Sequence, residues 1–185
     1  MKKYILIAGV NGAGKSTLYH LLPELLNLPR INSDEIVKEF GHWYNNNDVM
    51  KAGIITVKKL NQYIASGISF NQETTLCGKS IINNIKKAKR MGYVIEMHYV
   101  GVDSAQVAKE RVAYRVKNGG HGIPDSDIDR RFGETFRNLK EILPYCDQIT
   151  FYDNTYKFER FAVYKNGQPE RVSVNTPEWF KKLHI

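Results

Sequence analysis

Residues 9 to 16 read G-V-N-G-A-G-K-S and meet the pattern G-x-x-x-x-G-K-[ST] at every fixed position. The run before it, Lys3 to Ala8, is apolar enough to form a buried strand. The run after it, Thr17 to Leu22, opens a helical pattern. Strand, glycine loop and helix in that order leave the chain few choices. The loop must cap the carboxyl end of a strand, and the helix must pack back on the sheet, as in the first half of a βαβ unit.

The residue types in the loop name a ligand. Gly9, Gly12 and Gly14 let the backbone turn tightly and approach phosphate oxygens. The N–H groups of Gly9 to Thr17, those of Asn11 and Ala13 included, then face the anion at the positive end of the helix. Lys15 reaches the β- and γ-phosphates, and the Ser16 hydroxyl is the ligand for Mg²⁺. The cofactors this motif implies are ATP and Mg²⁺.

Composition bounds the rest. A chain of 185 residues with 42% hydrophobic and 25% charged residues reads as one globular domain with a full core. No apolar run approaches 18 residues, and Met1-Lys2-Lys3 leads into only a short apolar run. The expectation is a cytoplasmic protein with no membrane span and no signal peptide. Cys77 and Cys146 have no metal-ligand spacing and read as reduced thiols. The net charge of +8 suits acidic partners such as nucleotides. Lys86, Lys87, Lys89 and Arg90 share a helix with an apolar stripe of Ile81, Ile82, Ile85 and Ala88, so they read as its solvated face.

Strands and helices alternate along the chain. After the loop helix, which Pro23 ends or kinks, Arg30-Ile31-Asn32 forms a second strand. A helix over 34–40 follows, with Ser33 or Asp34 as its cap. A helical stripe over 48–66 uses Val49, Gly53, Val57, Leu60 and Ile64. Ile68-Ser69-Phe70 is the third strand, with Asn71 to Thr75 as the loop after it. A helix over 79–90 and a fourth strand over 92–100 come next. Helices over 103–118 and 125–143 flank a glycine-rich break, with stripes of Ala105, Ala108, Val112 and Val116, and of Ile128, Phe132, Phe136, Leu139 and Leu143. Ile149 to Tyr152 is the fifth strand. Residues 160 to 174 form a hairpin turning at Asn166-Gly167, and a short helix follows Pro177. The fold class is α/β: a P-loop nucleotide-binding domain over 1–185, with a doubly wound, mainly parallel five-stranded sheet. A helical lid spans about 111–131, and the C-terminal hairpin and helix span about 158–185.

A second set of residues bears on what the nucleotide is for. Asp34 suits two roles, a helix cap and a carboxylate that takes a proton from a substrate hydroxyl or holds the metal. Glu73, Thr74 and Thr75 suit either a surface turn or a pocket for a polyhydroxylated substrate. Arg111 and Arg115 lie one turn apart on one helix, and Arg130 and Arg131 open the next. Joined by the glycine-rich break, they are either surface arginines or a lid that closes cations over a transferring phosphoryl group. His121, inside the break, reads as structural or as a phosphate contact.

The chain resembles the zeta-toxin-like P-loop kinases. The resemblance rests on A-G-V-N-G-A-G-K-S-T-L, I-N-S-D-E-I, F-N-Q-E-T-T-L-C-G, R-V-x-x-R-V-x-x-G-G-H-G-I-P, D-I-D-R-R-F, L-P-Y-C-D and F-Y-D-N-T, across roughly residues 4 to 155. It implies an adenylate-kinase-like sheet and an ATP-dependent kinase whose acceptor is a hydroxyl of UDP-N-acetylglucosamine. Carried over by position, Asp34 is the general base, and Lys15 and Ser16 bind phosphate and magnesium. Glu73 and Thr74 lie at the sugar-nucleotide pocket, Arg115 and Arg130 or Arg131 clamp phosphates, and Asn154 lies near the adenine. A small antitoxin protein is the partner the resemblance implies.

Two other readings remain beside a kinase of a small-molecule hydroxyl. A polynucleotide 5′-hydroxyl kinase would use the +8 charge, although no aromatic–basic interleaving surrounds Asp34. A nucleotide-dependent switch with weak ATPase activity would use the loop alone.

Overall fold

The computed structural model describes residues 1–185. Its strands are β1 (Lys3–Ala8), β2 (Arg30–Ile31), β3 (Phe70–Thr74), β4 (Val94–Gly101), β5 (Gln148–Asp153), β6 (Glu159–Lys165) and β7 (Gln168–Val172). They form one sheet in the order β2-β3-β1-β4-β5-β6-β7. The first five are parallel, as the alternation of elements requires. The C-terminal hairpin is not an appendage to them. β6 pairs antiparallel with β5, so the sheet has seven strands. Asn166 and Gly167 turn the hairpin at φ values of 49° and 75°, the positive pair a two-residue turn needs.

The helices are α1 (Lys15–Leu21), α2 (Pro23–Leu26), α3 (Ser33–Lys38), α4 (Asn46–Ser66), α5 (Lys79–Arg90), α6 (Ala105–Lys117), α7 (Asp125–Ile142) and α8 (Glu178–Lys181). They cover both faces of the sheet. Ile81, Ile82, Ile85 and Ala88 of α5 bury together on one face with Leu139 and Ile142 of α7 and Trp179 and Phe180 of α8. On the other face Leu18 and Tyr19 of α1, Leu25 of α2 and Ala108 and Val112 of α6 pack on Ile5 and Ile7 of β1. Because β1 is buried on both faces, it reads as a continuous apolar run rather than an alternating one. Each large aliphatic side chain removed from water this way contributes about 1.5–3 kcal/mol.

Two expectations about packing change. In α4 the buried positions are Ala52, Leu60 and Ile64, whereas Val49 and Val57 face outward. The first half of α4 packs mainly on the short α3, through Ala52 and Ile55 against Ile36 and Val37. The third strand is also longer and more polar than its apolar start suggests. It begins at Phe70 and continues through Asn71, Gln72, Glu73 and Thr74, so these residues are strand and not loop. Asn71 is fully buried and its Nδ2 donates to the Leu25 carbonyl at 3.0 Å, while Gln72 accepts from the Tyr4 hydroxyl. Those bonds pair Asn71 Nδ2 and Gln72 Oε1, while Asn71 Oδ1 is buried without a partner.

Candidate active site

The strand ends converge at the glycine loop. Gly9, at a φ of 140°, donates its N–H to the Thr74 carbonyl at 3.2 Å, and any Cβ on it would overlap the Val100 carbonyl of β4. The loop therefore threads between the ends of β3 and β4, where the chain first goes to one side of β1 and then to the other. Ligands of open α/β sheets sit at such a point. Asn154, just past β5, donates its Nδ2 to the Ala13 carbonyl at 2.8 Å and clips the outer side of the loop.

Lys15 is 7% exposed, and its Nζ donates to the Val10 carbonyl at 3.0 Å. Burial pushes its pKa down. Glu73 and Asp34 pull it back up, and the charges of Arg115 and Arg131 lower it further. Ser16 and Thr17, by contrast, are exposed at the mouth of the loop helix. The Ser16 hydroxyl donates to the Glu73 carboxylate, at 3.0 and 3.2 Å from its two oxygens.

Glu73 is thus tied to the first turn of the loop helix. Arg30 Nη2 donates to it at 2.7 Å and Asn32 Nδ2 at 3.1 Å. Arg30 also pairs with Glu35 at 2.6 Å and lies 3.7 Å over the Tyr19 ring. Neither Arg30 nor Asn32 stood among the expected site residues. Their spacing was a usable signal, because residues i and i+2 of a strand share one face. Thr74 ends β3 on the cleft wall, with its Oγ1 accepting from the Leu76 N–H at 3.0 Å.

Asp34 does not cap α3. The cap is Asn32, whose side chain accepts from the Asp34 N–H at 3.0 Å. That releases the Asp34 carboxylate from capping and leaves it 38% exposed, lining the same cleft as Lys15. His121, on the break between α6 and α7, brings its Nε2 to 3.4 Å from Asp34 Oδ1. The His121 ring packs on Trp43 with centroids 5.8 Å apart. Burial lowers the His121 pKa, Asp34 opposes this, and Arg115, Lys38 and Arg131 reinforce it.

The four arginines part company. Arg131 Nη1 donates to Asn11 Oδ1 of the loop at 3.1 Å. Arg111 Nη2 donates to the Thr155 carbonyl at 3.0 Å. Arg130 is 56% exposed and bridges Asp127 and Glu134 at 2.9 Å each. Arg115 Nε and Nη2 are buried with no hydrogen-bond partner, as is Arg111 Nη1, but the Arg115 side chain has no other hydrogen bond to hold it. Buried guanidinium donors left unpaired are costly, and they match an anion in geometry and charge.

The cleft between these groups has a volume of about 400 Å³. Beyond the loop its walls carry many hydroxyls and amides, among them Ser33, Thr56, Thr75, Ser80 and Asn84. Such a lining suits a small polar ligand with many hydrogen-bonding groups.

Residues 1–168 match the zeta toxin family model. The chain belongs to the zeta toxin family. A Haemophilus influenzae protein, itself uncharacterized, is 32% identical over 130 residues, which is 70% of this chain and 92% of that one. Among solved structures, AvrRxo1-ORF1 in complex with ORF2 and ATP superposes with a TM-score of 0.73 at 12% identity over 99% of this chain. This chain corresponds to 63% of that longer one. The PezAT toxin–antitoxin system of Streptococcus pneumoniae superposes with a TM-score of 0.66 at 15% identity, over 100% of this chain and 83% of that one. At those identities the superpositions establish the fold, and family membership makes this zeta-toxin relative a kinase-type phosphotransferase with a nucleotide-binding loop. The residues present fit a triphosphate and a magnesium ion: the loop amides and Lys15 suit phosphate, the Arg115 donors suit a further phosphate oxygen, and the Ser16 and Glu73 oxygens suit a hard cation. No helix is long and apolar enough to cross a membrane.

Proposed function

We propose that the chain is an ATP-dependent kinase that phosphorylates a hydroxyl of a small polar acceptor. The single observation carrying this reading is that one cleft is lined by both Lys15 of the nucleotide loop and the uncapped carboxylate of Asp34. Bound ATP supplies the phosphoryl group, and Mg²⁺ neutralises its oxygens. Asp34 accepts the proton of the acceptor hydroxyl. Lys15 and Arg131 stabilise the negative charge beside the loop, and Arg115 offers its free donors to the same anion. Ser16 and Glu73 hold the metal. Asn11 is oriented by Arg131, and Asn154 keeps the loop closed on its outer side.

The hydroxyl- and amide-rich wall supports a polyhydroxylated acceptor, and family membership supports UDP-N-acetylglucosamine. A small antitoxin covering the nucleotide cleft is the partner we propose, supported by the likeness to the PezAT system.

The test is transfer of labelled γ-phosphate from ATP to UDP-N-acetylglucosamine, other nucleotide sugars, free sugars and 5′-hydroxyl oligonucleotides. Lys15→Ala and Asp34→Asn are the controls. Label on a nucleotide sugar that requires both residues supports the reading. Label on oligonucleotides selects the polynucleotide kinase instead. Bound ATP with no labelled acceptor overturns the kinase reading in favour of a nucleotide-dependent switch.

A further inference from the structure

A second cavity, of about 320 Å³, lies beside the first and shares no lining residue with it. Helix α7 serves both. Arg130 and Arg131 line the kinase cleft, and the next turns, from Phe132 to Lys140, line the second cavity. Its wall is aromatic. The rings of Phe136 and Trp179 stack with centroids 5.9 Å apart and 30° between their planes, and Phe132 meets Phe136 edge-on at 5.2 Å. Trp179 is held in place: it is 3% exposed, and its Nε1 donates to Asp153 at 2.8 Å.

Two polar features accompany this aromatic wall. Asp103 contributes to the lining, and its Oδ1 is buried with no hydrogen-bond partner. Leaving such an acceptor unmet is costly. Three cations, Arg137, Lys140 and Lys182, also line the cavity. The nearby carboxylates that would neutralise them are engaged elsewhere, Glu141 with Lys86 and Glu178 with Lys181.

We propose that this cavity binds a small planar aromatic anion that donates a hydrogen bond, the chemistry of a purine or pyrimidine nucleoside monophosphate. The ring packs on the part-exposed Phe132 and Phe136, which lie over the buried Trp179, a ring N–H or amino group donates to Asp103, and the phosphate meets the three cations. The volume is at the small end for ligand pockets, which suits a mononucleotide. A purely apolar side chain from a partner would leave Asp103 and all three cations unmatched. A metal ion would find one carboxylate among three positive charges. The site is independent of the kinase reading, because none of its residues belongs to that cleft.

Trp43 and Trp179 are the two tryptophans of the chain, so Trp43→Phe leaves Trp179 as the sole reporter. The experiment titrates AMP, GMP, CMP and UMP into the Trp43→Phe protein, with and without Lys15→Ala, and follows Trp179 fluorescence. The expected result is saturable quenching by at least one nucleotide that survives Lys15→Ala. The matching nucleoside and the Arg137→Ala/Lys140→Ala variant should each bind about tenfold more weakly, from loss of charge-assisted contacts. Asp103→Ala should weaken binding to a similar extent, while Asp103→Asn, which keeps an acceptor oxygen, should weaken it less. No saturable quenching at millimolar nucleotide overturns the proposal. So does quenching that disappears with Lys15→Ala or ignores the Arg137 and Lys140 substitutions.

Discussion

The Ser16 hydroxyl donates to the Glu73 carboxylate at 3.0 Å, joining the first turn of α1 to the end of β3. The same carboxylate takes Arg30 at 2.7 Å, with the two side chains 14% and 10% exposed. Glu73 therefore has a structural duty beside the metal-binding one proposed for it. Glu73→Gln should lower unfolding free energy by about 2 kcal/mol, since a largely buried charged hydrogen bond is lost while Glu35 still faces Arg30. It should also raise the Mg²⁺ concentration needed for half-maximal transfer. Urea unfolding and a Mg²⁺ titration read the two effects separately. Unchanged Mg²⁺ dependence would remove Glu73 from the metal site.

Asp34 is relieved of capping by Asn32, so Asp34→Asn should leave α3 intact. Loss of the proposed general base should lower kcat by about 10²–10⁴-fold with the apparent affinity for ATP little changed. Steady-state kinetics and circular dichroism on the same sample check this. A kcat within a few-fold of the unaltered protein would show that another group takes the proton.

The unpaired donors of Arg115 make it sensitive to its ligand rather than to its neighbours. In thermal unfolding, ATP with Mg²⁺ should raise the midpoint of the unaltered protein and raise that of Arg115→Ala distinctly less. Without nucleotide, Arg115→Ala should cost little, or even stabilise, because it removes two buried donors that have no partner. A variant equally stabilised by nucleotide would argue that Arg115 does not meet phosphate.

His121 gives a pH prediction with a definite sign. Its pKa in the folded chain is lowered from the ordinary 6.5, first by burial and then by Arg115, Lys38 and Arg131. The unfolded chain therefore binds the proton more readily. The contribution of neutral His121 to stability is complete above about pH 6.5 and is lost as pH falls toward the folded value. His98, also lowered by burial, acts in the same direction. Denaturant unfolding at pH 7 and pH 5 should show weaker folding at the acid end. His121→Gln should flatten part of that slope, and His121→Gln with His98→Gln more of it. An unchanged slope in the double variant would place the acid sensitivity elsewhere.

The glycine loop, Asp34 and the arginine-bearing helices are legible in the chain because each is a local pattern. The eight loop residues, the strand before them and the helix after them are contiguous, so no long-range contact is needed to read them. The α5 stripe of Ile81, Ile82, Ile85 and Ala88 is buried as its spacing requires, for the same reason. The third strand is harder. Its second half is polar, and the groups that pair the Asn71 and Gln72 amides there are a carbonyl of Leu25 and a hydroxyl of Tyr4, far away in sequence.

Sequence alone determined the nucleotide loop, the parallel α/β architecture, the hairpin turn at Asn166-Gly167 and the candidate base. Backbone conformation and hydrophobic period act over a few residues, and their marks stay in the chain. Tertiary structure alone decided that Glu73 joins Ser16 and Arg30, that Asn32 frees Asp34, that Arg131 and not Arg130 reaches the loop, and that the hairpin completes the sheet. Each of these depends on which strand ends meet and which helix crosses above them. Such pairings are set by burial and by the satisfaction of buried polar groups across the whole fold, and they leave no periodic signal in sequence.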